Sequence, residues 1–409
     1  MKYEFLRKII NYRYFIYLYT FLLPFTYFGS QMGLLTGILI FWWILDIKNN
    51  KKFYQKKLYS ITTSKPIIFM ITFLIFATLS YFWSSNKEEF FSTLNSQKYF
   101  FYLLPIIYTS LTKREALKNL KILGISFGVY GFFSLLIYLG LFSWDGSTQE
   151  NPKFLFRYMI AGAYLVLGTY LLYYFAMLEK NITYRIFYII FCLITFIGVF
   201  INNGRAAQVA FIITLIFFII INSKKIKLNL KIILILATAF FIVINIILNK
   251  NMLVIRYEKA FNQIKTFDLD TNYYSSTGQR LKMYYISLEL WKNEPFLGVG
   301  GGDLKDLFHK YVIDNNIKLG WMYNTVHSIY SEYLVKYGII GLFLFLFSFI
   351  SLFIELKDTN KGLYVISILP LLIIFLFDSI LLYKPFNNVF IYTFTLLCIL
   401  GDKKILKKR

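Results

Sequence analysis

The chain has 409 residues, of which 58% are hydrophobic, 21% aromatic and 16% charged, with 44 Lys and Arg against 21 Asp and Glu. No water-soluble domain of this size has that balance, and its repeated apolar runs near 20 residues indicate membrane spans. The net charge of +23 does not point to nucleic acid, because the basic residues are dispersed along the chain. Lysines in short loops that fix topology account for it better.

In chain order, apolar runs predict spans over residues 14–29, 31–47, 66–84, 98–111, 120–142, 155–178, 182–201, 206–222, 230–249, 333–355, 362–383 and 385–401. The expected fold class is therefore an all-α polytopic membrane protein with about twelve transmembrane helices. The basic stretch before the first span is followed by no small-residue cleavage site, so the first run is read as a retained span. Cys192 and Cys398 both lie inside apolar runs, which suits neither a disulfide nor a metal site.

The loops alternate in charge. Lys and Arg gather before the first span (Lys2, Arg7, Lys8, Arg13), after the second (Lys48, Lys51, Lys52, Lys56, Lys57, Lys65) and after the fourth (Lys113, Arg114, Lys118, Lys121). They gather again after the sixth (Lys180, Arg185), the eighth (Lys224, Lys225, Lys227, Lys231) and the tenth (Lys357, Lys361), and in the tail (Lys403, Lys404, Lys407, Lys408, Arg409). The positive-inside rule then predicts both termini in the cytoplasm. The one long polar stretch, 250–332, falls on the opposite, external face. Three parts follow: spans one to nine over 1–249, a mainly helical external loop over 250–332, and spans ten to twelve with a basic tail over 333–409.

Arg205 stands where a charge is costly. It lies in the short break Asn202-Asn203-Gly204-Arg205 between two apolar runs, on the same external face as the long loop. An arginine held at the hydrocarbon boundary costs several kcal/mol unless it is paired, so it reads as functional. Its planar, permanently charged fork suits phosphate. Within the long loop, residues 280–293 place Leu281, Tyr284, Tyr285, Leu288 and Trp291 at helical spacing, after the capping chemistry of Ser275-Ser276-Thr277. Arg280 is thus expected in the first turn of a helix, where backbone N–H groups already favour an anion. The glycines at 298 and 300–302 predict a tight turn or a close backbone approach.

His327 precedes the tenth span on the external side. It suits a general base near neutral pH, and equally an interfacial histidine packed on tyrosines. His309, on an amphipathic stretch, reads as packing. The two histidines share no metal-ligand spacing, and nothing in the placement of Asp268, Asp270 and Asp303 suggests a metal. Asp378 is an acid within the apolar run of 374–382, either an ion-pair partner or a proton relay. Arg157, near the external start of the sixth span, is either a further anion contact or an arginine that snorkels to water. The loop tyrosines (Tyr273, Tyr274, Tyr284, Tyr285, Tyr323, Tyr330) suit stacking on sugars or interfacial packing alike.

His327-Ser328, nine residues and then Gly338-Ile339-Ile340-Gly341 resembles the signature of the O-antigen ligase family. That family includes protein O-oligosaccharyltransferases, and the O-antigen polymerases are related to it. Gly204-Arg205-Ala206-Ala207 resembles its R-A-A motif, and Arg280, ahead of Gly298 and Gly300, resembles its second essential arginine. The likeness covers about 195–345; earlier spans match only in number and hydropathy. It implies a multi-pass enzyme of the bacterial inner membrane with its site facing the periplasm. The donor would be a glycan on undecaprenyl diphosphate and the acceptor a hydroxyl of lipid A–core, with membrane lipids around the chain and neither metal nor other cofactor required. His327, Arg205 and Arg280 would be catalytic, and Arg205, Arg280 and Arg157 would hold the diphosphate. A polymerase, a protein O-oligosaccharyltransferase and a lipid-linked glycan transporter are the competing readings. The transporter fits least, because charged candidates gather on one face and only Asp378 lies in mid-span.

Overall fold

The computed structural model describes residues 12–26, 29–221, 252–267 and 276–402. The expected ninth span at 230–249 lies outside them, as do Ser275, Tyr273, Tyr274, Asp268 and Asp270. The described chain is helical, without a strand beyond one isolated bridge between Thr148 and Asn151.

The helices are α1 (Tyr12–Leu22), α2 (Gly29–Asn49), α3 (Lys51–Ile61), α4 (Lys65–Leu79), α5 (Lys87–Ser96), α6 (Lys98–Ser110), α7 (Lys113–Tyr138) and α8 (Tyr158–Leu178). They continue with α9 (Ile182–Ile201), α10 (Arg205–Ile221), α11 (Met252–Lys265), α12 (Ser276–Asn293), α13 (Leu304–Asp314), α14 (Ile329–Glu355), α15 (Asp358–Ile374) and α16 (Lys384–Gly401). Among the described residues, six helices are long and apolar enough to cross a membrane: α2, α4 with its 3-10 extension to Phe82, α7, α8, α9 and α14. Shorter apolar helices are Arg205–Ile221 and Asn360–Ile374.

Several expected spans take a different form. The first is an 11-residue helix that ends in a 3-10 turn at Leu23–Phe25 around Pro24. The basic connection after the second span is itself an amphipathic helix, α3, and the one after the third contains α5. The eleventh expected span, 362–383, stops at Ile374. Its last carbonyls find partners elsewhere: Tyr330 Oη donates to Leu372 O, the Ile329 N–H to Phe375 O, and Tyr284 Oη to Leu376 O. External donors thus satisfy groups that a continuing helix would have satisfied itself.

Packing sorts the helices into a core and a rim. Helix α8 sits against α7, α9, α10 and α15, while α16 packs on α6 and α7. α8 is apolar all round and mostly buried; α9 is apolar too but turns Ile182, Ile186, Ile190 and Leu193 outward, as a lipid-facing helix does. Small residues let helices approach: a Cβ on Gly128 of α7 would lie 2.5 Å from the Phe191 ring of α9. A second, smaller core gathers Met283, Ile286, Leu290, Leu304, Phe308, Val312, Val326 and Val335. It fastens α12 and α13 onto the first turns of α14.

Candidate functional site

The break before Arg205 is short because its backbone is satisfied locally. The Asn202 side-chain oxygen accepts from the Gly204 N–H at 2.9 Å, and Gln208 Nε2 donates to Asn202 O at 3.2 Å. Arg205 therefore opens α10, one residue inside the helix and not in the loop the sequence suggested. Asn203 Nδ2 ties this corner to Glu150 O at 3.0 Å.

Arg280 lies on the fifth residue of α12, a little beyond the expected first turn. It reaches the same cavity as Arg205. That cavity has a volume of about 400 Å³ and is walled by Asn203–Ala207, by Lys259 and Gln263 of α11, by Thr277 and Arg280 of α12, and by Tyr158, Met159, Asn151, Ile374 and Asp378. Three cationic side chains and the N-terminal ends of α10 and α12 converge there. Partial positive charge at those helix ends adds to the field of the guanidinium groups.

One carboxylate faces this charge. Asp378 is 2% exposed, and its Oδ2 lies 3.7 Å from Arg280 Nη2 and 3.7 Å from His327 Nδ1. Neither distance is a hydrogen bond; the first is an ion-pair contact, and the second becomes one when the imidazole is protonated. His327 Nδ1 and Asp378 Oδ2 are both buried atoms without a hydrogen-bond partner. A contraction of about 0.5 Å would convert the His327 contact into a hydrogen bond, as catalytic pairs often do when substrate arrives. His327 is not on the cavity wall. It meets the cavity through Asp378.

The chain holds His327 in an unusual shape. Its φ is +52°, a region that non-glycine residues seldom occupy and that clusters at functional sites. The conformation is fixed from several sides. Val326 N–H donates to the buried Glu332 at 3.2 Å, and Glu332 pairs with Lys336 at 3.2 Å. Ser328 caps α14 through the Ser331 N–H, and the Tyr284 hydroxyl donates to His327 O at 3.3 Å. Burial pushes the Tyr284 hydroxyl up to about 12, with Arg280 acting in the opposite sense, so it stays a neutral donor at ordinary pH. The Tyr323 ring meets the imidazole edge-on at 5.4 Å.

Gly338 of the signature serves the fold. Gly338 interrupts α14 with φ +62°, and a Cβ there would lie 2.1 Å from Phe296 O. Through this notch the Pro295–Gly300 loop pairs with α14: Val299 N–H with Val335 O, Gly300 N–H with Lys336 O, and Ile339 N–H with Pro295 O. The close backbone approach expected from the glycine run is there.

Two sequence candidates stand apart. Arg157 donates to Tyr383 Oη at 3.2 Å with its guanidinium over that ring, and it does not line the cavity. His309 bonds Tyr323 O at 2.9 Å and packs beside Phe308, joining α13 to the loop. The sequence reading missed Lys259 and Gln263 on the wall. It singled out Asp378 without joining it to the arginine and histidine. Among the described residues, no group of three or more His, Cys, Asp or Glu comes together.

Residues 190–346 match the family model described as O-antigen ligase. Over this segment the chain is similar to the O-antigen ligase family. The matched segment runs from α9 into α14 and contains Arg205, Arg280, His327, Gly338 and Gly341. Asp378 and Arg157 lie outside it. A search of curated proteins finds no match to the chain. The match supports a function of the O-antigen ligase and polymerase type broadly, and the six helices among the described residues that are long and apolar enough to cross a bilayer fit a multi-pass membrane protein.

Proposed function

We propose that this protein is an O-antigen ligase that moves a glycan from undecaprenyl diphosphate to a hydroxyl of lipid A–core, at the periplasmic face of the bacterial inner membrane. The observation that carries this reading is the meeting of Arg205, Arg280 and Lys259 in one cavity where Asp378, the only acid among the described residues that line it, also faces His327. In the proposed reaction the acceptor O–H gives its proton to His327 Nε2. Its oxygen attacks the anomeric carbon, and the bond from that carbon to the phosphate oxygen breaks. The electron pair leaves with undecaprenyl diphosphate. A single displacement of this kind inverts the anomeric centre.

Each group has a role that its chemistry suits. Arg205 and Arg280 bind the diphosphate and stabilise the negative charge that develops on it, an effect worth about 10²- to 10³-fold per donor. Lys259 adds charge at the cavity mouth. Asp378, beside Nδ1, favours the tautomer with Nε2 free and stabilises the imidazolium that forms, the role an acid plays beside a catalytic histidine. Arg157 helps at a distance, through Tyr383. The polyprenyl chain would lie among the apolar helices at the bilayer edge.

The test is deletion of the gene followed by electrophoresis of lipopolysaccharide, with wild type and His327→Ala as complementing alleles. The proposal expects loss of the long-chain ladder, glycan left on its lipid carrier, and rescue by wild type only. Core carrying a single repeat unit would make the protein a polymerase. An unchanged ladder with altered glycoproteins would make the acceptor a protein.

A further inference from the structure

We infer that the far end of α12 carries a second, separate binding crevice, and that it holds sugar units of the donor glycan away from the reacting end. The crevice, of about 460 Å³, lies where the α4–α5 connection meets the α12–α13 connection. That size falls within the range of small-molecule sites. None of its lining residues lines the cationic cavity.

The crevice is built and rigid. Asp303 accepts from the Ser85 and Asn86 N–H groups at 2.7 Å each, and Asn86 Nδ2 donates to Asp306 Oδ2 at 2.7 Å. Gly302 N–H donates to Ser84 Oγ at 2.8 Å. A Cβ on Gly302 would lie 2.0 Å from Asn86 O, so the two connections touch backbone to backbone.

Its chemistry is mixed in a way that suits a pyranose. Trp83, Leu297, Val299 and Leu307 give an apolar side, while Asn293, Glu294 and Asp306 give a polar one. Sugar rings offer both surfaces: C–H groups on the face, hydroxyls round the edge. Carboxylates and amides accept hydroxyl hydrogen bonds, and bonds to ionised acceptors are the stronger kind. Trp83 Nε1 is a buried donor without a partner. Among the described residues no cation lines the crevice, which disfavours phosphate and acidic sugars. The ligand class is therefore a neutral or amino-bearing hexose unit.

The placement gives the crevice a purpose. Arg280 at one end of α12 and Asn293 at the other are separated by about 20 Å of helix. A glycan whose reducing-end diphosphate sits on Arg280 would reach the crevice several sugars along. This inference rests on the proposed function for the identity of the chain that is held.

The experiment uses the full-length protein in lipid nanodiscs. The probe is polysaccharide released by mild acid from the host's own lipopolysaccharide, freed of lipid and diphosphate so that the cationic cavity is not engaged. Calorimetric titration is expected to show binding to wild type and, undiminished, to Arg280→Ala. Glu294→Lys, at an exposed position, should weaken it about tenfold or more, and Trp83→Phe, which keeps an aromatic ring on Phe76, about fivefold. A transfer assay adds a second readout: preference for long over single-repeat donors should disappear in Glu294→Lys. Equal polysaccharide binding by wild type, Glu294→Lys and Trp83→Phe would overturn the inference, as would no binding by wild type. So would calcium binding lost in Glu294→Lys while the polysaccharide is ignored. None of these readings depends on transfer, so they stand apart from failure of the ligase proposal, which shows as wild-type transfer by Arg280→Ala and His327→Ala.

Discussion

At its N-terminal end α12 presents Arg280 to a cavity shared with Arg205 and Lys259; at its C-terminal end it borders a crevice walled by Glu294, Asp303 and Asp306. One helix thus joins two concave sites of opposite charge. In the proposed function the first offers its charge to a ligand; among the described residues, three cations and one buried acid line it. The second spends part of its charge on the fold, since Asp303 is consumed by two backbone N–H groups. The difference teaches that a charged cluster is informative only after its internal partners are subtracted. Asp378 and Asp303 are both buried acids, yet Asp303 is satisfied by backbone, whereas Asp378 Oδ2 lacks a hydrogen bond and waits between an arginine and a histidine.

The largest effects should come from the cationic end. His327→Ala is expected to slow transfer about 10²- to 10⁴-fold, the range for removal of a general base. Arg280→Ala should cost about 10²- to 10³-fold in turnover with weaker donor binding, measured with purified enzyme and lipid-linked glycan. If either variant transferred at the wild-type rate, the contrast between a reacting end and a holding end of α12 would collapse.

Asp378→Asn sharpens the picture by moving two readouts in opposite directions. Transfer should fall about 10- to 100-fold, because the imidazole loses its orienting charge. Binding of undecaprenyl diphosphate should hold or tighten, because the cavity loses a negative group beside Arg280. A purely structural defect would weaken both.

Gly338→Ala tests the notch that positions the α12–α13 connection. Its Cβ would strike Phe296 O at 2.1 Å, in a backbone region where L side chains are already strained. We expect a loss of about 3 kcal/mol or more, seen as a lower melting temperature in detergent. Unchanged melting would mean that the two helices part readily. The smallest effect is expected for Arg157→Ala, about fivefold or less in transfer, since that side chain is exposed and seated on Tyr383. A loss as deep as that of Arg280→Ala would place Arg157 on the diphosphate after all.

The sequence by itself determined the helical membrane class, from apolar runs too long and too frequent for a soluble core. It also marked Arg205, Arg280 and His327, because each breaks a local rule: a charge beside hydrocarbon, an arginine at a helix start, a histidine before a span. The glycines of 298–302 announced a close backbone approach for the same local reason, the missing Cβ. Tertiary structure decided the rest. The length of the eleventh expected span was not legible, because the donors that end α15 come from Tyr284, Ile329 and Tyr330 on other helices. Asp378 was visible as an odd acid, but its partners lie on α12 and just before α14, far away along the chain. Lys259 looks in sequence like any other lysine of a basic chain; only packing of α11 against α12 brings it to the cavity wall. Hydropathy and turn chemistry act over a few residues and so can be read from the chain. Charge pairing acts through space, over distances that only the folded bundle sets.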